Sequence, residues 1–466
     1  MLTYDFSNSK GPIYKQLYNF IKRDIISGIL NPNSKLPSKR MLAANLGVST
    51  ISIENAYDQL ISEGYIYTIP KKGYFVSELP QIKQDFSIKN NKKTEIKIPE
   101  IDNDIVFDFS SNRIESSNFP FSVWAKTMRS VISENEKELM QVSPCGGVES
   151  LRTAIAGHLH SFRGINVDPD RIIVGAGTEY LYGILIKLLG DKKNYCIENP
   201  GYYKLKSIYE INNIKPMYAG LDSNGMIVSE LKKVKADIAH ISPTHHFPTG
   251  ISMPVTRRYE ILSWANEKDG RYIIEDEYDS EFRLNGKPIP PMMSLDTNEK
   301  VIYMNTFSKS LSSTIRISYM ILPAHLANEF YEKLSFYSCP VSTFEQYTLA
   351  EFISQGFFEK HINRMRLHYG RTRSQVIEII NNYFTEKQCR ILENDSGLHF
   401  ILELNTKLSD SKVKELLLKE KIKISSVTDH YMTEQPDNKH QFILNYSNMN
   451  IQKLKSALKT FSLIIK

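Results

Sequence analysis

Asn305-Thr306-Phe307-Ser308-Lys309 closes the apolar run Val301–Asn305, and Arg316 follows the lysine by seven residues. A short apolar run bounded by polar residues reads as a buried strand. Working outward, similar runs recur at Arg171–Val174, Tyr195–Ile197, Ala236–Ile241, Tyr272–Asp276 and Ile317–Leu322. Helical spacing separates several of them, as in Glu179–Leu189. Strands alternating with helices predict an α/β fold whose mostly parallel sheet is covered on both faces. From about residue 325 the pattern mixes helices with a few strands and reads as a smaller C-terminal subdomain.

Two further stretches end or follow predicted strands. Ile274-Glu275-Asp276-Glu277-Tyr278 places a carboxylate 33 residues before Lys309, and Gly175-Ala176-Gly177-Thr178 lies between a strand and a helix. A lysine amine can condense with an aldehyde, and pyridoxal 5′-phosphate (PLP) presents one. A carboxylate facing the pyridine nitrogen keeps that ring protonated and electron-withdrawing, which makes Asp276 a candidate. Tyr278 would hydrogen-bond the phenolic oxygen. Backbone N–H groups at Gly177 and Thr178, with the helix dipole, form an anion seat for the phosphate. Thr306 and Ser308 would add hydroxyls there, and Arg316 a bidentate clamp. Singly these signals are weak: most lysines are merely exposed, acidic runs cap strand ends, and glycine turns are common. Their order and spacing make PLP the expected cofactor.

Ahead of this region lies a different pattern. Pro12–Ser27 carries apolar residues at helical spacing: Ile13, Leu17, Phe20, Ile21 and Ile25. Ser38 caps a second helix with Met41, Leu42 and Leu46 as its apolar face, and Gly47 stops it. Ser49 caps a third, in which Ile53, Ala56, Tyr57 and Leu60 point inward. Tyr65–Ile69 and Tyr74–Val76 then flank a turn at Pro70-Lys71-Lys72-Gly73. This is the pattern of a winged helix-turn-helix. Its third helix would enter the major groove and present Thr50, Ser52, Glu54 and Asn55. Ser38, Lys39 and Arg40 would meet phosphate, as would Lys71 and Lys72 on the wing. The alternative is a small helical domain with solvated charges.

The expected organisation is a DNA-binding domain over 1–78, a linker over 79–105, a cofactor-binding large domain over 106–324 and a C-terminal part over 325–466. The linker is rich in Lys and Asn (Lys83, Lys89, Asn90, Asn91, Lys92, Lys93, Lys97) and reads as a solvated tether. The 466 residues suffice for two or three folding units, and 41% apolar with 26 Tyr and 22 Phe argues against disorder. A net charge of +6 says little about nucleic acid by itself. Cys145, Cys196, Cys339 and Cys389 form no CxxC pair, so neither a disulfide framework nor a zinc site is expected. No signal peptide or bilayer-spanning run is evident, and a cytoplasmic location is expected.

Residues 11–78 resemble the GntR-type winged helix across Lys35-Leu36-Pro37-Ser38-Lys39-Arg40-Met41-Leu42-Ala43, Leu46-Gly47-Val48-Ser49, Ala56-Tyr57 and Glu63-Gly64-Tyr65. Thr50 stands where that family usually has Arg, so the resemblance carries over the fold but not the DNA target. Residues 106–466 resemble fold type I aminotransferases, and the whole chain resembles the MocR/GabR regulators that fuse the two. The stretches that carry this are Glu198-Asn199-Pro200-Gly201-Tyr202, Pro243-Thr244-His245-His246-Phe247-Pro248-Thr249-Gly250 and Glu275-Asp276-Glu277-Tyr278-Asp279-Ser280-Glu281-Phe282. The resemblance implies that Tyr202 stacks on the cofactor ring. Phe247 stands where most aminotransferases have Asn, which leaves His245 or His246 either to contact the cofactor or to pack as structural histidines. His430 stands where some members hold an amino-acid carboxylate with Arg.

What the resemblance implies is a PLP-binding regulator of a double-stranded DNA operator, a head-to-tail homodimer in which the aminotransferase-like domain senses rather than turns over, with at most a residual half-transamination. The effector is expected to be PLP itself, with vitamin B6 synthesis genes as targets. An amino-acid effector, a working aminotransferase and a DNA-binding protein that has lost its cofactor are the competing readings.

Overall fold

In a computed structural model of the chain, residues 2–6, 11–80, 104–110, 115–284, 289–392, 397–433, 437 and 439–465 are described. They form two compact units, Met1–Ile101 and Asp102–Lys466. The lysines read as a linker, from Lys83 to Lys97, lie outside the described residues.

In the first unit α1 (Ile13–Ile26), α2 (Lys39–Leu46) and α3 (Thr50–Ser62) pack on a hairpin of β1 (Ile66–Ile69) and β2 (Gly73–Val76). Ser38 Oγ accepts the Met41 N–H at 3.3 Å and Ser49 Oγ accepts the Ser52 N–H at 3.2 Å. Each hydroxyl satisfies an N–H that helix geometry leaves without a partner. Gly47 ends α2 at φ 66°, a left-handed conformation that glycine adopts without penalty. Leu17, Ile21, Leu42, Ile53, Ala56, Tyr57 and Leu60 close the core with no exposed surface. Met41 departs from expectation. It is about half exposed, because the short α2 buries Leu42 and Ala43 and turns the preceding position outward.

The second unit is built on eight strands: β3 (Ile172–Gly175), β4 (Tyr195–Asn199), β5 (Met217–Asp222), β6 (Gly225–Met226), β7 (Ile238–Ile241), β8 (Tyr272–Glu277), β9 (Val301–Thr306) and β10 (Ser318–Ile321). Their order across the sheet is β3-β10-β9-β8-β7-β4-β5-β6. The five strands from β9 to β5 are parallel, while β10 runs antiparallel to both its neighbours and β6 antiparallel to β5. Side chains alternate across the sheet. On β9, Ile302 and Met304 face one apolar cluster with Leu181 and Leu185, and Tyr303 faces another with Phe358 and Phe400. Burial on both faces is why these strands read as continuous apolar runs.

β5 escapes the sequence pattern. Its Met-Tyr-Ala-Gly-Leu-Asp lies near the sheet edge and only Ala219 is fully buried, so no apolar run marks it. C-terminal to the sheet, the 27-residue helix Phe357–Tyr383 leads into a four-stranded antiparallel sheet of Cys389–Leu392, His399–Leu404, Gln441–Asn445 and Ser425–Ser426, in that order. Among the described residues no helix is long and apolar enough to cross a membrane.

Candidate cofactor site and DNA-binding surface

The parallel strands β7, β8 and β9 end at one edge of the sheet, where loops can gather side chains around a ligand. There a cavity of about 250 Å³ is lined by Thr178, Glu179, Tyr202, Lys204, Asp276, Tyr278, Thr306, Ser308, Lys309 and Arg316, among others. Eight residues singled out from sequence (Thr178, Tyr202, Asp276, Tyr278, Thr306, Ser308, Lys309 and Arg316) therefore share one cavity.

Asp276 sits at the end of β8. One carboxylate oxygen, Oδ2, accepts a hydrogen bond from the Tyr182 hydroxyl and lies 3.4 Å from His240 Nε2. The other, Oδ1, is buried and has no hydrogen-bond partner among the described residues. Leaving a buried carboxylate oxygen unpaired is costly, and a pyridinium N–H is a donor of the kind this position lacks. Burial lowers the Lys309 amine to about 8, Asp279 pulls it upward, and Lys204 adds to the lowering. The turn before helix α4 (Thr178–Leu189) has Gly177 at φ 94°, and a Cβ there would lie 2.5 Å from the Arg316 guanidinium. The residue must be glycine for the arginine to close over the turn. An orphaned acceptor, a depressed amine and a glycine turn under a guanidinium fit PLP. When bound, the cofactor would supply an aldehyde and an electron-withdrawing ring; Lys309, Asp276, Arg316 and the glycine turn are the residues that would hold it.

Several side chains take up other partners. Ser308 Oγ donates to the Ile315 carbonyl at 3.0 Å, and Thr306 Oγ1 accepts from Ser308 N–H at 3.1 Å and Ser318 Oγ at 2.8 Å. Both hydroxyls thus brace the Lys309 turn. His245 does not line the cavity. It is buried behind it, with Nδ1 2.9 Å from Asp279 Oδ2 and 3.0 Å from the Tyr278 hydroxyl, so it meets the site through Tyr278. His399 packs against it, and its Nε2 faces the Pro248 carbonyl at 3.1 Å. His246 is also buried, and burial takes it down to about 3, in the neutral form. The Phe247 ring lines the cavity in their place, edge-on to Tyr202 and to His430.

Sequence reasoning missed Tyr182 and His240, which hold Asp276. Tyr182 lies four residues after Thr178 on one helix face, and His240 is the single polar residue of the β7 run. Both signals stand in the sequence. Glu179 and Lys204 left none beyond ordinary surface charge.

The depressed amine gives a pH prediction. Only neutral Lys309 attacks an aldehyde, and at a value of about 8 roughly a tenth of it is neutral at pH 7. The rate at which apo-protein takes up PLP covalently should rise nearly tenfold per pH unit below about 7, roughly fivefold between about 7 and 8, and level off above that. Stopped-flow absorbance across that range checks this; a rate still climbing tenfold per unit at pH 9 would contradict it.

On the first unit Thr50, Glu54 and Asn55 are exposed along α3, and Arg40, Lys71 and Lys72 are exposed at the start of α2 and the hairpin turn. Ser52 is half-buried, its hydroxyl 2.9 Å from that of Ser49. Ser38 already uses its hydroxyl as a cap. Lys39 differs most from expectation: its amine is 2.7 Å from Glu54 and 3.4 Å from Asp58, joining α2 to α3. Arg40→Ala should therefore reduce the salt slope of DNA binding by about 0.9, one phosphate's worth. Lys39→Ala should also lower the thermal midpoint, by an amount equivalent to at most about 1 kcal/mol. Salt titrations and melting curves of the two variants separate the roles, and an equal melting loss in both would refute the division.

Comparison with known proteins agrees with this architecture. Residues 13–76 match the gntR family of bacterial regulatory proteins, and residues 104–461 match the aminotransferase class I and II family. The chain is 36% identical over 96% of its length, and 97% of the relative's, to the uncharacterized HTH-type transcriptional regulator YdeL of Bacillus subtilis. It is 29% identical over 83% of its length, and 82% of the relative's, to the HTH-type pyridoxine biosynthesis transcriptional regulator PdxR of Corynebacterium glutamicum. The multiple substrate aminotransferase of Thermococcus profundus, at 23% identity, shares the fold with a TM-score of 0.69 over 78% of this chain and 91% of that one. The chain thus belongs to the MocR-type transcription regulators, in which a gntR-family DNA-binding domain is joined to an aminotransferase class I and II domain whose cofactor is PLP.

Proposed function

We propose that this regulator reads PLP itself: cofactor occupancy at Lys309 changes how a homodimer, arranged head-to-tail in the cytoplasm, holds its operator. The observation that carries the reading is the cavity wall. Arg316 is the sole guanidinium among the described lining residues, and it stands beside the glycine turn where phosphate belongs. Amino-acid recognition normally needs a second fork for the carboxylate. At position 430 the chain offers His430, whose ring packs edge-on to Phe247 and whose backbone carbonyl accepts the Gly201 N–H at 3.0 Å. Arg364 is spent on the Asn118 carbonyl and His361, and neither it nor Arg283 lines the cavity. The name of the pyridoxine biosynthesis relative supports vitamin B6 synthesis genes as targets.

The remaining site residues then take the roles assigned from sequence, while Thr306 and Ser308 brace the Lys309 turn, His245 acts through Tyr278, Ser38 caps α2 and Lys39 ties α2 to α3. The aminotransferase-like domain serves as a sensor, and a DNA-binding unit on the same chain supports that use. A single winged helix makes few contacts, so paired half-sites on a dimer supply the affinity. The test is an amino-acid titration. PLP-loaded protein should keep its operator affinity through a panel of amino acids, while PLP added to apo-protein should change it. A response to one amino acid, with none to PLP, would favour the amino-acid sensor; steady turnover with donor and keto acceptor would favour the enzyme.

A further inference from the structure

Glu179, the second residue of α4, lies at the mouth of the anion seat. Its Oε2 is 3.2 Å from the Arg316 guanidinium and its Oε1 is 3.5 Å from the Lys204 amine. Arg316 in turn covers the Gly177 turn. One carboxylate thus ties together the start of α4, the segment leading into β10 and the helix Tyr203–Ile211 that carries Lys204. It also lines the cavity. It places a negative charge at the mouth of a site suited to a dianion. A carboxylate at a helix N-terminus beside two cations is stabilised by all three, and an incoming phosphate needs the same groups.

We propose that Glu179 is a resident anion that the cofactor phosphate must displace from Arg316, and that it sets the PLP concentration at which the protein loads. This rests on the reading of the protein as a PLP sensor and adds to it the residue that fixes its threshold. Both Glu179 and Arg316 are about half exposed, so the bridge is weak enough to open. Yet a carboxylate held within a few ångströms of the seat still opposes a phosphate charge. After displacement Lys204 remains within reach of Glu179, so the freed carboxylate keeps a partner. A sensor gains from such a competitor, because a seat too tight for PLP would stay filled at every cellular concentration.

The test compares wild type with Glu179→Gln, which keeps shape and removes charge. PLP is titrated into each apo-protein and the visible-edge absorbance of the lysine-bound cofactor is followed; pyridoxal, which lacks the phosphate, is titrated in parallel. The half-saturating PLP concentration should fall roughly tenfold in the variant at low salt, with a smaller gap at high salt. Pyridoxal should bind the two proteins equally. Equal or weaker PLP binding by the variant would overturn the proposal, as would an equal gain for pyridoxal. Absorbance in both proteins with equal half-saturation overturns the threshold role alone. No absorbance in either at any PLP concentration overturns the sensor reading, and the threshold role with it.

Discussion

Lys309→Ala is expected to lose all covalent attachment of PLP. The lysine amine condenses with the aldehyde and water leaves, and the reaction needs an amine that is neutral and close. Burial brings Lys309 down to about 8, and Ser308 and Thr306 hold its turn through the Ile315 carbonyl and Ser318. Truncation leaves Asp276, Arg316 and the glycine turn in place, so loosely held cofactor should remain. Borohydride reduction followed by dialysis and peptide mapping distinguishes the two forms. The alternative nucleophile is Lys204, which lines the same cavity. If the variant keeps trapped cofactor on Lys204, the assignment of Lys309 is wrong.

Asp276→Asn should weaken PLP binding by about ten- to hundredfold while leaving the apo-protein nearly as stable. The amide keeps an oxygen for the Tyr182 hydroxyl but loses the negative charge that a pyridinium N–H would meet at Oδ1, and a hydrogen bond to a charged group contributes about 1.5–3 kcal/mol. Asp276→Ala should behave differently. It strands the buried Tyr182 hydroxyl and His240 Nε2, at a cost of about 1–3 kcal/mol each if no water replaces the acceptor. PLP titrations and thermal melts of the two variants check the pair. Unaltered PLP affinity in Asp276→Asn would remove the carboxylate from the site.

How much of the fold and of the site is legible in the sequence follows from where each residue sits. The strands that carry Asp276 and Lys309 are central, buried on both faces, and so written as apolar runs with chemistry at their C-terminal ends. β5 is near the edge, half-exposed, and left no such mark. The helix caps Ser38 and Ser49 were readable because a cap acts through its nearest backbone. Partnerships between distant side chains were not. Lys39 looks like a phosphate ligand from its neighbours, yet α3 brings Glu54 and Asp58 to it. His245 looks like a cofactor contact from its motif, yet the fold places Asp279 and Tyr278 around it. The bridge from Glu179 to Arg316 spans 137 residues of sequence, and only the sheet order closes that distance.

Occupancy by PLP is the signal proposed for this regulator. It is tested most directly by titrating PLP into apo-protein while recording, on one sample, the absorbance of the lysine-bound cofactor and the affinity for the operator. A ligand shifts a two-state equilibrium only through differential affinity, so both curves should share one midpoint, and Lys309→Ala should displace or flatten the operator curve together with the absorbance. An operator affinity that stays constant while the absorbance saturates would contradict the account.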